Sequence, residues 1–257
     1  HELLPRLSVD VSYFRRWYGN FRVTDNRRVD PADFDPFSIT APLDPRLPDG
    51  GGYTISGLYD LNPRKFGIAA DNLVTLAKNY GKQIERFDGV DVNVTSRMRG
   101  GLMAQGGVSF GKTTTDNCEI TAQVDNPSPL YCRVETPFQP NVKALAAYLL
   151  PRIEVQVSGT FQSVPGAQLS ANLVVPNAAV RPPLGRDLSG GVNTTLNIIA
   201  PGTLYGERLN QLDLRVGKVL RLGARRLAVN LDLYNALNAA TVLTYNNQYA
   251  ALFRPQS

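Results

Sequence analysis

The stretch VDVNVTSRMRGGLMAQGGVSFGKTTT, residues 90–115, supports two incompatible readings. One reads motifs. Gly106, Gly111, Lys112 and Thr113 match the phosphate-loop pattern G-x-x-x-x-G-K-[ST], and Gly107, Ser109 and Gly111 match the G-x-S-x-G elbow of serine hydrolases. Both need an amphipathic helix directly after the glycines, whose N-terminus would supply amides and a dipole. Residues 113–132 instead read TTTDNCEITAQVDNPSPLYC, with β-branched and turn-forming residues and no 3.6-residue apolar period. The elbow also needs a histidine, and the only one is His1. No catalytic residue is therefore assigned, and no cofactor.

The other reading is alternation with period two, which places successive side chains on opposite faces of a strand. Val90, Val92, Val94 and Met98 share one face; Asp91, Asn93, Thr95 and Arg97 share the other. After a turn at Arg99, Gly100 and Gly101, Leu102, Ala104, Val108 and Phe110 oppose Gln105, Ser109 and glycines, with Met103 the exception. The same pattern recurs along the chain. Val9, Val11 and Tyr13 alternate with Ser8, Asp10 and Ser12. Ile153, Val155, Val157 and Phe161 alternate with Glu154, Gln156, Ser158, Thr160 and Gln162. Leu212, Leu214 and Val216, then Leu227, Val229, Leu231 and Leu233, oppose Gln211, Asp213, Arg215, Asn230 and Asp232. A dry core would not accept that second face without pairing every charge, whereas a wet interior would.

The connections are asymmetric. Tight turns (99–101, around Pro151, 222–224) alternate with long polar stretches rich in Pro, Gly, Asn and Asp, roughly 19–86, 116–141 and 164–206. Strands of about ten residues, apolar on one face and polar on the other, with every second connection long, are the layout of an antiparallel transmembrane β-barrel with short periplasmic turns and long extracellular loops. The polar-face residues Asp91, Arg97, Gln105, Glu154, Gln156, Asp213, Arg215 and Asp232 are then candidates to line the lumen or meet a substrate. Loops this long are usually functional or disordered.

Composition constrains less. The chain has 257 residues, 43% hydrophobic, with 27 Lys and Arg interleaved with 22 acids for a net charge of +5. A basic stripe for nucleic acid is missing. So are an 18-residue apolar run and, in HELLPRLSVD, the layout of a signal peptide. Cys118 and Cys132 share one polar segment with no histidine nearby for a metal site, so they read as a disulfide and point to an oxidising compartment. Two free thiols in a reducing compartment are the alternative.

Four stretches carry a resemblance: DPFSITAPLDPRLPDGGGYTISGLYDLNP, NYGKQIERFDGVDVNVTSRMRGGLMAQGGVSFGKTTTDNC, SGTFQSVPG and RLNQLDLRVGKVLRLGARRLAVNLDLYNALNAATVLTYNNQYA. Together they span most of the chain, which resembles the C-terminal part of the barrel of a TonB-dependent outer-membrane receptor of the Oar-like kind. The resemblance implies residence in the bacterial outer membrane, lipid around the barrel, and a TonB-type energising protein acting through an N-terminal part. It also implies a small-molecule, saccharide or peptide cargo taken at extracellular loops. Such receptors carry a TonB box, a plug domain and about 22 strands. The first two are not visible in residues 1–257, and the chain stops at AALFRPQS where the family adds a last strand ending in an aromatic, so a fragment is expected.

Two other classes stay open. A secreted or surface-attached β-protein, adhesin or carbohydrate binder, would use Trp17, Tyr18, Tyr53 and Tyr59 as stacking platforms. An enzyme would need the decamer motifs or a carboxylate pair such as Asp33 with Asp35, a spacing that more often caps turns.

Overall fold

A computed structural model describes residues 2–98 and 100–253. The chain is all-β. Its strands run in order β1 Glu2–Leu4, β2 Leu7–Trp17, β3 Arg22–Asn26, β4 Phe34–Thr40, β5 Thr54–Leu61, β6 Asn72–Leu76, β7 Ile84–Arg97, β8 Leu102–Asp116, β9 Arg133–Glu135, β10 Asn141–Leu150, β11 Val155–Val164, β12 Asn172–Pro176, β13 Asn193–Asn197, β14 Leu209–Leu222 and β15 Arg225–Leu233. Two short helices, α1 Cys118–Thr121 and α2 Asn177–Leu184, interrupt them. Among the described residues no helix is long and apolar enough to cross a membrane.

One nine-stranded antiparallel sheet, in the order β1-β2-β7-β8-β10-β11-β14-β15 with β9 alongside β8, carries the long strands. Among the described residues it is open, with β1 at one edge and β15 at the other. The register keeps the expected faces together. Val11 faces Val92, which faces Val108; Val157 faces Val216, which faces Leu231. The decamer 106–115 lies wholly inside β8, with only four helical residues after it, so its glycines serve the pleat. A Cβ on Gly107 would meet the Asn93 carboxamide, and one on Gly111 would meet the Phe87 ring.

All three long connections leave from one end of the sheet: β2 to β7, β8 to β10 and β11 to β14. Connections at the other end are short, at 5–6, 151–154 and 223–224, where Gly223 takes a positive φ of 62°. The turn expected at Arg99–Gly101 falls there too, though Arg99 lies outside the described residues.

The long connections are not structureless. They form three small antiparallel sheets, β3–β6, β4–β5 and β12–β13; the last two build a cap around a core of Phe37, Ile39, Leu58, Val175, Ile198 and Ile199 among others, while Val23 of β3 packs against a separate cluster of Ala77, Ile120 and Val124. Their short apolar stretches, scattered among prolines and glycines, show no period in sequence and meet both within an excursion, as Ile39 with Ile55, and across excursions. Cross-links tie the excursions together: the Ser128 hydroxyl donates to the Gly57 carbonyl (2.7 Å), the Tyr53 hydroxyl to that of Ile198 (2.7 Å), and the Tyr131 hydroxyl to that of Asn197 (3.0 Å). The Arg186 guanidinium binds Asp35 (2.6 Å) and Asp60. Cys118 and Cys132 are joined in a disulfide at the base of the middle excursion.

The burial pattern is inverted relative to a soluble sandwich. Ile198 and Ile199 in the cap are about as buried as a side chain can be, whereas among the described residues no protein layer covers the apolar face of the long sheet. Val11 is 66% exposed and Leu231 73%.

A polar trough on the sheet as candidate functional site

The opposite face of the sheet carries a hollow of about 580 Å³. Two register lines across the strands build it. One runs Asn93–Gly107–Lys143–Gln162–Gln211, the next Thr95–Gln105–Leu145–Thr160–Asp213. Alternation delivers every one of these side chains to the same face, so the trough follows from strand pairing. Its wall is a relay of hydrogen bonds. The Gln162 carboxamide donates to Gln211 (2.9 Å), Gln211 donates to the Asp213 carboxylate (3.1 Å), and the Asn235 amide closes on Asp213 (2.7 Å). Asp213 is thereby engaged, and the remaining trough groups are carboxamides, threonine hydroxyls, the Lys143 ammonium and the apolar Leu145.

Of the residues singled out from sequence, Gln105 and Asp213 line this trough. Asp91 sits on the same face opposite Ser109 and Ser12, one pair nearer the cap than Asn93. Gln156 shares the face toward the short turns, opposite Leu149 and Gly217. Arg215 and Asp232 are there as well but bind one another, Nη2 to Oδ2 at 3.0 Å, which leaves both occupied. Arg97 lines a separate hollow with Arg6, Leu7, Ser8 and Thr95. Glu154 is a correction. Alternation makes it a strand residue, yet β11 starts at Val155, and Glu154 stands in the turn with a φ of 49°, its carboxylate 3.0 Å from Arg221. The turn after Pro151 uses more residues than the alternation suggests.

Lys143, Gln162 and Gln211 are not among the lumen candidates taken from sequence, although alternation already puts the last two on the polar face. Lys143 was hidden because β10 lacks clean alternation, with Leu145, Ala147 and Leu149 all on the polar side. Among the described residues no group of three or more His, Cys, Asp and Glu could hold a metal ion.

The aromatics proposed as platforms are dispersed. Trp17 ends β2 and Tyr18 follows it, Tyr53 is tied into the cap, and Tyr59 borders a small hollow between β4, β5 and β13. Burial pushes the Tyr53 phenol up, and pushes that of Tyr131 up to about 12, so both are neutral donors that join excursions. Asp33 caps its own turn with Asp30 and meets Lys65 at 2.9 Å, while Asp35 meets Arg186. The two carboxylates therefore do not face each other as a pair.

Lys112 pairs with Glu135 and lies 5.5 Å from the centre of the Phe138 ring; Ser109 stands in register between Asp91 and Asn141. No family model, curated protein or solved structure matches the chain.

Proposed function

We propose that the chain is part of a TonB-dependent outer-membrane transporter, with the nine-stranded sheet as barrel wall, the cap facing the cell exterior and the trough on the lumen side. The observation that carries this reading is the uncovered apolar face. Each Val or Leu left in water forgoes about 1.5–3 kcal/mol of burial, and a patch spanning seven strands would drive aggregation. Lipid removes that difficulty.

The dimensions agree with a membrane. On β14 the outer face runs from Leu212 to Leu222, and eleven residues at about 3.3 Å each, tilted by about 45°, cover about 25 Å, the height of the apolar band of such barrels. Toward the cap this band stops at a charged line, where Arg15 and Arg86 both reach Asp88. Exposed Tyr13 and Trp17 stand beside that line, and Tyr148 stands near the short turns, the two depths at which aromatic girdles form. Lys218 is the outward cation in the band; it lies close enough to the short turns for its stem to reach the interface. Short turns on the periplasmic side and elaborated loops outside complete the layout.

Fractionation of cells producing the full-length protein tests this reading. The account expects it in outer-membrane fractions, resistant to urea washing and released by detergent. Recovery as a monodisperse protein without detergent would replace the transporter with a secreted binder.

A further inference from the structure

We propose that the lumen face binds a neutral oligosaccharide, held by an aromatic step at Phe14 and Phe87 and by the carboxamides of the trough. The proposal rests on the transporter reading above and adds the substrate class. Among the described strand residues, Phe14 and Phe87 are the only aromatics on the polar face, and Phe14 is half exposed there between Ser12 and Arg16. Phe87 lies over glycine. Cβ atoms at Gly89 and Gly111 would fall 2.7 Å and 2.5 Å from its ring atoms, so any larger residue at either position would push the ring off the sheet. Two cross-strand glycines thus provide a flat bed for one phenyl ring, and Phe14 stands directly opposite the first of them.

Gly89, under the Phe87 ring and opposite Phe14, is four residues along β7 from Asn93, a rise of about 13 Å, so one sugar ring cannot touch both and a chain of them can. Below it the groups offered are those a polyhydroxylated ligand uses. Asn93, Gln105, Gln162 and Gln211 each present a donor and an acceptor, and Thr95 and Thr160 present hydroxyls. The charges disfavour an anionic ligand, because the Asp91 and Asp10 carboxylates lie on the path from the step to the trough, and in the trough Asp213 is already engaged beside a single cation, Lys143. Aromatic faces with convergent amides, and carboxylates of the kind that accept from sugar hydroxyls, suit neutral sugars better than organic anions or acidic peptides.

Calorimetric titration of the detergent-solubilised full-length receptor with maltohexaose and with cellohexaose, against hexagalacturonate and a neutral hexapeptide, tests this. One or both neutral hexasaccharides should bind, and Phe87→Ala or Phe14→Ala should weaken binding about tenfold while Phe87→Tyr retains it. Gln162→Leu should weaken it several-fold, with folding of each variant checked by heat-modifiable electrophoretic mobility. No neutral-sugar binding, binding indifferent to these variants, or preference for the anion or the peptide would overturn the proposal. Lipid-phase labelling of the outer face in the same preparation scores the transporter reading separately, so the two can fail independently.

Discussion

Gly51 turns with a φ of 79°, and a Cβ there would lie 1.9 Å from the Pro42 carbonyl oxygen. Gly51→Ala combines a left-handed backbone with that collision and should destabilise the cap by more than the roughly 1–3 kcal/mol of such a conformation alone. Faster proteolysis of residues 30–60 would show it; an unchanged cleavage rate would contradict the close approach. Nearby, the Arg46 guanidinium (2.6 Å) holds the Asp44 carboxyl well below the usual aspartate range, helped by the Arg46 amide and the Tyr249 hydroxyl (3.1 Å). A depressed carboxyl stabilises above its unfolded value, about 4, and that contribution fades as pH falls toward the folded one. The stability gap between the native cap and Asp44→Asn should therefore shrink from pH 7 to pH 3 in thermal melts, and a gap that holds or widens would contradict the assignment. Asp44 and Tyr249 were illegible as partners in the sequence because 205 positions separate them. Asn93 and Gln105 were legible, since alternation alone fixes their face.

On β11, Val157 and Ser158 are neighbours in the chain and point to opposite faces. Val157→Arg should cost about 2–4 kcal/mol in refolding into bilayers, and Ser158→Arg much less. Equal costs would mean that the two faces share one environment. In the middle excursion the disulfide closes a segment of 14-residue separation, which in the chain-entropy model contributes up to about 3 kcal/mol. Mass spectrometry without reductant should find Cys118 bonded to Cys132, whereas freely alkylated thiols in freshly isolated protein would remove the argument for an oxidising compartment. Long strands were readable because a period of two survives over ten or more residues. The cap was not, since β4 and β12 are short, contain prolines, and bury residues such as Ile39 and Val175 in a core shared between excursions.

At the scale of the molecule, the core and the long sheet have exchanged their usual places. A cluster of apolar side chains in the cap, Ile198 and Ile199 at its centre, is packed out of solvent, while the sheet leaves valines and leucines exposed on one face and carries amides and charges on the other. That inversion was implicit in the alternation, but alternation alone suits a sandwich equally well; the missing information was whether anything covers the apolar face. The most direct test places single cysteines at Val157 and Gln156 in the full-length protein reconstituted in bilayers. Each is then exposed to a lipid-phase and a water-phase thiol reagent. The account predicts that Val157→Cys reacts from the lipid phase alone and Gln156→Cys from water alone. Val157→Cys silent to the lipid-phase reagent, in protein that stays soluble without detergent, would contradict it.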